Sequence, residues 1–248
     1  MIETEGIIVN ERSYSETSKI VDIITREYGV ISCIAKGAKR LKSPLRSVTG
    51  KMTYAKFQIL YKENKLSTLL EADSIVLFKN IQTDIEKISY AAFLLDLVGQ
   101  VMKQYNNEEV YDLLVNALTK IDEGFDPLVI TNIVELKCLD YLGVMPIIDR
   151  CSKCGRTTSI CTISSRAGGY LCNNCRTNET IVDEKVIKLI RMFYYVDISK
   201  ISKLDISDSI KNQINYFLDE YYEDYTGLYL KSKSFLNDIN KIKEDVDE

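Results

Sequence analysis

Apolar and polar residues alternate in short runs over the first 75 positions of the chain. In the clearest run, 51–62, every second side chain from Ala55 to Tyr61 is apolar. Turn-forming residues separate the runs, which predict strands at 6–12, 18–26, 29–36, 51–62 and 66–75. Five short strands in so few residues are typical of a small closed barrel, and we expect the five-stranded OB-fold.

From residue 82 onward, apolar residues recur at helical spacing. This period predicts helices at 82–105, 108–121, 126–142, 184–196 and 208–225. Asp126 is the expected N-cap of the third helix, Pro127 takes its first position, and Gly143 ends it. Cys138 shares the apolar face of that helix and is expected in the core. The charged residues 237–248 are expected to fray.

Histidine is absent from the 248 residues, whereas cysteine occurs seven times. The absence of histidine excludes the Ser-His-Asp triad, the Cys-His dyad and every metal site that needs imidazole. Any metal must therefore be held by sulfur or oxygen. An odd number of cysteines also fits poorly with a closed set of disulfides.

Four cysteines form two C-x2-C pairs, Cys151 with Cys154 and Cys172 with Cys175, separated by 17 residues. This spacing is typical of a structural zinc site, because each short turn presents two sulfurs to one ion. A thioredoxin-type redox pair and unrelated buried cysteines are the alternatives, and two pairs in a loop-rich segment favour zinc over both. Cys161 fits neither turn. Four thiolates leave no open coordination position, so the predicted site is structural.

Charge is distributed unevenly, although the net charge is only −4. Residues 1–80 carry 13 Lys and Arg against 9 Asp and Glu, and the window 28–62 contains no acidic residue. Flexible cationic loops bind phosphate backbones, and Tyr14 or Tyr54 are candidates to stack on bases. The candidate DNA-binding residues are Lys36, Lys39, Arg40, Lys42, Arg46, Lys51 and Lys56. A merely solvated loop is the alternative, and this loop is not one usually named for OB-fold binding.

No phosphate-binding glycine motif occurs in the sequence. One acidic cluster has the composition that a metal-dependent nucleic-acid enzyme would use; it consists of Asp219, Glu220, Glu223 and Asp224. Its position beside the apolar stripe of the 208–225 helix favours a solvated face. We therefore expect no enzyme, no catalytic residue and no cofactor-binding residue. A zinc-ribbon scaffold that binds only protein partners is the other alternative.

Residues 1–6 lack the apolar core of a signal peptide, and the best apolar stretch, 91–98, is interrupted by Asp96. We therefore expect a cytoplasmic protein without membrane contact, associated with the nucleoid when bound to DNA.

Two motif regions resemble the RecO family of bacterial DNA repair proteins. The first consists of residues 6–9 (GIIV), Arg12, Tyr14, Glu16, Ser18, Thr25, Gly29, 35–40 (AKGAKR) and Ser43. The second consists of residues 141–143 (YLG), Pro146, 151–155 (CSKCG) and 168–175 (GGYLCNNC). Both occur in the order and at the chain length of that family.

The resemblance implies a recombination mediator of the α+β class. Its parts would be an OB-fold at 1–80 that binds DNA, a helical domain at 81–147 and 181–248 with a charged C-terminal tail, and a four-cysteine zinc ribbon at 148–180. The implied activities are binding of single- and double-stranded DNA through positions 36–42 and annealing of complementary strands. With RecR, the protein would also help load RecA onto single strands coated with the single-stranded-DNA-binding protein (SSB). The implied partners are DNA, RecR and the acidic C-terminal tail of SSB, whose contact residues the resemblance does not identify.

Overall fold

The computed structural model describes residues 1–233 and 235–236 and divides the chain into two compact units. One unit contains residues 1–122 and the described residues from 230 onward, and the other contains residues 123–229. The domain boundaries predicted after residues 80, 147 and 180 stay predictions. The expectation that residues 237–248 fray lies outside the described residues.

The first unit begins with a closed barrel in the strand order β1-β2-β3-β5-β4. The strands are β1 (Ile2–Ser13), β2 (Lys19–Thr25), β3 (Gly29–Ala35), β4 (Tyr54–Leu60) and β5 (Ser67–Val76). All neighbouring pairs are antiparallel except β3 with β5, which is parallel. The predicted five-stranded OB-like barrel is confirmed.

Strand β1 closes the barrel by pairing with β2 on one side and with β4 on the other. The backbones approach one another closely there. β1 begins four residues earlier than predicted, because Ile2 pairs with Ile59 and the pairing continues to Ile7. A Cβ atom at Gly6 would lie 2.7 Å from the carbonyl oxygen of Ile24, so only glycine fits between these strands without a shift. The alternation predicted for β4 is present, with Phe57 completely buried in the barrel core.

Three helices follow the barrel in the first unit: α1 (Lys79–Gln82), α2 (Ile85–Gln104) and α3 (Glu108–Asp122). Asp84 caps α2 by accepting hydrogen bonds from the N–H groups of Glu86 and Lys87. Helix α2 contacts β1 and β3, and more than half of its residues are buried. The side chain of Ser232, near the end of the described chain, donates to Asp96 of α2 at 2.8 Å.

The second unit combines three helices with a two-stranded ribbon. Its elements are α4 (Pro127–Tyr141), β6 (Ile160–Ser164), β7 (Gly169–Cys172), α5 (Glu184–Tyr195), a 3-10 turn (Ile198–Lys200) and α6 (Asp208–Tyr225). The predicted cap of α4 is confirmed: Asp126 accepts from two backbone N–H groups, and Pro127 is the first helical residue. Helix α4 contacts both α5 and α6. Cys138 of α4 is fully buried, as predicted.

Candidate metal centre and nucleic-acid interface

The two C-x2-C pairs of the second unit come together beside the β6–β7 ribbon. The four Sγ atoms of Cys151, Cys154, Cys172 and Cys175 lie within 4.8 Å of one another. The sulfurs of Cys154 and Cys172 are 3.7 Å apart. A tetrahedral ion with metal–sulfur bonds of about 2.3 Å separates its sulfurs by about 3.8 Å, so this donor set fits one such ion. Cys161 is not part of the group.

Tight backbone turns explain why each pair converges. The N–H of Gly155 donates to the carbonyl of Cys151 at 2.9 Å, and Gly155 has a positive φ of 73°. In the second turn, the N–H groups of Cys175 and Arg176 both donate to the carbonyl of Cys172 at 3.0 Å. Each turn therefore reverses the chain within four residues and directs two sulfurs to the same side.

The electrostatics of the group favour thiolates that share a cation. Burial raises the pKa of Cys151, but backbone N–H groups overcome this effect and lower the pKa to about 6. In the same way, backbone N–H groups outweigh burial and lower the pKa of Cys172. Hydrogen bonds with neighbouring sulfurs, first that of Cys154, raise the pKa of Cys175 to about 12. Four deprotonated sulfurs this close together repel one another. A bound dication offsets this repulsion and stabilises all four sulfurs as thiolates.

The ribbon has almost no apolar core of its own. Its buried cluster consists of Cys151, Leu171 and Cys172, with Ile160, Ala167 and Cys175 packed against it. Half of these residues are the metal-ligand candidates themselves. A segment with so few apolar contacts depends on cross-links for its stability, and a structural metal is such a cross-link.

Gly169, the first residue of β7, carries a specific stability prediction. It has a φ of +144°, and a Cβ atom there would lie 2.2 Å from the carbonyl oxygen of Ile147. Gly169→Ala is therefore expected to lower the free energy of unfolding by about 3 kcal/mol, measured by urea denaturation. Gly143→Ala is the control, because Gly143 also has a positive φ but nothing within 4 Å of the added carbon. It should cost about 1 kcal/mol; equal losses would contradict the role of the close approach.

The predicted cationic loop, residues 36–53 between β3 and β4, is called the basic loop below. Its backbone is anchored and not a free arm, because Ala38, Leu45 and Val48 pack into the barrel core. The hydroxyl of Thr49 also donates to the carbonyl of Leu45 at 2.7 Å. The loop therefore presents its charges from a backbone that is anchored to the barrel.

The charged side chains of the basic loop differ in their surroundings. Lys36, Arg40, Lys42 and Arg46 are exposed. The ammonium of Lys39 instead donates to the carbonyl of Ser15 at 2.8 Å, and the backbone N–H of Lys39 donates to the carbonyl of Thr17 at 2.9 Å. These bonds tie the basic loop to the turn between β1 and β2. That turn is a binding loop in OB-folds. Because the bonds of Lys39 hold the basic loop against it, the two segments form one surface.

A groove of about 540 Å³ lies between the two segments. We call it the rim groove; it is lined by Tyr14, Thr17, Ser18, Ile34, Lys36, Gly37 and Arg40. Tyr14 is 57% exposed and is free to offer its ring to a ligand. Tyr54 is buried and stacks on Phe78, with ring centroids 6.3 Å apart. The expectation that Tyr54 stacks on bases is therefore wrong, since its ring is buried against Phe78.

Of the seven predicted DNA-binding residues, Lys36 and Arg40 line the rim groove, whereas Lys39, Lys42, Arg46, Lys51 and Lys56 do not. Lys56 forms an ion pair with Glu3 of the neighbouring strand at 2.7 Å. Lys51 lines a different cavity of the first unit, together with Asp96 and Lys103. In contrast, the structure adds Thr17 and Ser18 to the groove. The sequence placed Ser18 at the start of a predicted strand and gave Thr17 no role, because nothing local to them indicates which loop lies beside them.

The four carboxylates of α6 do not form a metal site. The hydroxyl of Tyr216 donates to Glu220 at 2.9 Å, and the amide of Asn215 donates to Asp219 at 3.2 Å. Glu223 and Asp224 are exposed. Over residues 1–233 and 235–236, the only group of three or more potential metal ligands that the structure brings together is that of the four cysteines. The acidic cluster is thus a helix surface, as the sequence favoured.

No helix in the described part of the chain combines the length and the apolar character needed to cross a bilayer.

Comparison with known families agrees with both parts of the molecule. The model described as "Recombination protein O N terminal" matches residues 1–78, and "Recombination protein O C terminal" matches residues 82–234. The chain belongs to the RecO family. The resemblance inferred from the two motif regions is confirmed.

Curated members of the RecO family align with this chain over nearly its whole length. The DNA repair protein RecO of Listeria innocua is 36% identical over 100% of both chains. That of Bacillus cereus is 36% identical over 97% of this chain and 98% of its own, and that of Bacillus pumilus is 33% identical over 98% and 96%. The similarity therefore includes the barrel, the ribbon and the helices.

Proposed function

We propose that this RecO-family protein is a mediator of recombinational DNA repair that binds single- and double-stranded DNA and anneals complementary strands. With RecR, it would help to load RecA onto single strands coated with SSB, whose acidic C-terminal tail would be a further contact. The protein would act in the cytoplasm, at the nucleoid. Membership in the RecO family supports the general role. The observation that carries DNA binding is the rim groove, where exposed cations surround an exposed tyrosine.

The chemistry of the rim groove and of the basic loop suits annealing without hydrolysis. Lys36, Arg40, Lys42 and Arg46 would neutralise phosphates and lower the repulsion between two strands. Contacts to phosphate carry no sequence information, so any pair of complementary strands would be accepted. Stacking of a base on Tyr14 would use only the face of the base and leave its pairing edge available to the second strand.

We further propose that the four paired cysteines hold one Zn²⁺ ion. The donor set is all thiolate, and the distance between the Cys154 and Cys172 sulfurs agrees with tetrahedral geometry. A four-thiolate ion leaves no position for an activated water, so the metal would supply stability to the ribbon and no chemistry.

Annealing of SSB-coated strands tests the proposed function. Two complementary oligonucleotides, one labelled with a fluorophore and one with a quencher, are coated with SSB and mixed with the protein, with and without RecR. We expect the protein to accelerate annealing well above the rate of SSB-coated strands alone. Addition of RecR and RecA should then give RecA filaments on the remaining single strands.

The same samples separate the alternatives. Strand cleavage that needs Mg²⁺ and is lost in the double variant Asp219→Ala, Glu223→Ala would support an enzyme and contradict the mediator. Absence of DNA binding at low salt would support a scaffold that binds only proteins. Annealing without cleavage supports the mediator.

A further inference from the structure

Two exposed tyrosines of the barrel lie together and are not among the residues that line the rim groove. Tyr28 is in the turn between β2 and β3, and Tyr61 directly follows β4. Their ring centroids are 5.6 Å apart with an interplanar angle of 44°. Tyr28 is 40% and Tyr61 36% exposed. Since β3 begins after Tyr28 and ends at Ala35, its length separates Tyr28 from the groove residues that follow the strand.

The backbone around both rings is fixed by hydrogen bonds. The hydroxyl of Thr25 accepts from the N–H of Tyr28 at 3.1 Å and donates to the carbonyl of Gly29 at 2.8 Å. After Tyr61 the chain turns tightly, with the N–H of Lys65 donating to the carbonyl of Lys62 at 3.3 Å. The backbone that carries the two rings is therefore held in place before any ligand arrives.

The charges near the pair favour a phosphate chain. Lys62 and Lys65 are exposed and flank Tyr61 in the same turn, which also contains Glu63. The carboxylate of Glu27, next to Tyr28, accepts a hydrogen bond from the hydroxyl of Thr4. The turn after β4 therefore has a net positive charge beside two accessible aromatic rings.

We propose that Tyr28 and Tyr61 form a stacking site for unpaired bases, through which the protein binds single-stranded DNA more tightly than duplex DNA. The proposal rests on the proposed DNA-binding function and adds the residues that distinguish the two substrates. Cations contact the phosphates of either form, whereas only an unpaired base exposes its face to an aromatic ring.

The spacing of the two sites matches one bound strand. β3 contains seven residues, so Tyr28 and the groove residues that follow β3 lie about 20 Å apart along it. OB-folds cover about 4 to 16 nucleotides, a length that reaches both ends of the barrel. The turn after β4 is also one of the loops that OB-folds use for oligonucleotides. A single strand would thus contact the rim groove with its phosphates and the tyrosine pair with its bases.

Binding of a labelled oligothymidylate and of a duplex of equal length tests the site. The double variant Tyr28→Leu, Tyr61→Leu keeps apolar side chains but removes the rings. We expect the single-strand Kd to rise at least tenfold and the duplex Kd to change less than twofold. The salt dependence of single-strand binding should keep its slope, because no phosphate contact is lost.

Tyr195→Leu is the matched control, because Tyr195 is also exposed and contacts a neighbouring tyrosine, Tyr194, at 5.0 Å. It should leave both Kd values unchanged. The double variant Tyr28→Phe, Tyr61→Phe keeps the rings and should bind like the parent protein. Thermal unfolding of each variant shows whether the barrel is folded; if the leucine variant does not fold, the tryptophan reporter below decides.

The chain contains no tryptophan, so the fluorescence of a single introduced tryptophan reports only on the surroundings of that position. In Tyr61→Trp, the fluorescence should be quenched by oligothymidylate, with a saturation curve that matches the binding curve. In Tyr195→Trp, it should not change.

The outcomes distinguish this proposal from the function beneath it. If the parent binds single strands and the leucine variant binds equally well, or if Tyr61→Trp is not quenched, the stacking site is wrong and the DNA-binding function stands. Equal losses of single-strand and duplex affinity would also overturn it. If the parent binds no DNA, the proposed function itself fails.

Discussion

Serine in place of Cys172 is expected to abolish zinc binding and to unfold the ribbon at 148–180. Cys172 is completely buried, and its sulfur lies 3.7 Å from that of Cys154. Binding of structural zinc contributes about 10 to 16 kcal/mol in zinc-finger peptides, far more than the few apolar contacts of this ribbon supply. We expect about one zinc per chain in the parent protein and none in Cys172→Ser, measured by elemental analysis.

Limited proteolysis should show that the damage is local. Helices α4, α5 and α6 contact one another, so they keep a core without the metal. Trypsin should therefore cut the variant inside the ribbon, after Lys153, Arg156, Arg166 or Arg176, while the far-ultraviolet circular dichroism of the helices is retained. The parent protein should resist cleavage at these sites.

The ribbon supplies its own control in Cys161. This residue lies on β6, between the two pairs in the sequence, but outside the group of four sulfurs. Cys161→Ser should keep the zinc and the resistance to trypsin. Loss of zinc in Cys161→Ser, or full zinc content in Cys172→Ser, would contradict the assigned ligands.

The features predicted correctly from the sequence are those that depend on local spacing. The alternation in β4 and the cap at Asp126 are properties of adjacent residues, so the sequence alone identifies them. The four cysteines also fall in this class, because each C-x2-C pair lies in one turn and a tetrahedral ion needs both pairs as its four ligands.

The features missed depend on contacts between residues far apart in the chain. Tyr54 alternates outward as predicted, but Phe78 covers it from a segment 24 positions away. Lys56 belongs to an acid-free window of the sequence, yet its partner Glu3 comes from β1. The apolar residues that anchor the basic loop follow no period, so neither a strand nor a helix pattern reveals them. Charge along the sequence therefore identified the basic loop but not which of its cations face a common groove.

Removal of the exposed cations of the basic loop is expected to lower the affinity for single- and double-stranded DNA alike. The variant replaces Lys36, Arg40, Lys42 and Arg46 with alanine, because these side chains are exposed on an anchored backbone. If about three loop cations contact a single strand, the parent's log affinity should fall with log salt at a slope near −2. The variant's slope should approach zero, and its affinity at low salt should fall on the order of 100-fold.

A second set of substitutions separates local contact from net charge. Lys185, Lys188, Lys200 and Lys203 of the second unit are also exposed, and their replacement by alanine removes the same four charges. This control should bind with the parent's slope. Lys39→Ala should change the slope less than Arg40→Ala, because the ammonium of Lys39 is engaged by the carbonyl of Ser15. A parent slope near zero, or equal losses in the two fourfold variants, would mean that the basic loop does not hold the phosphates.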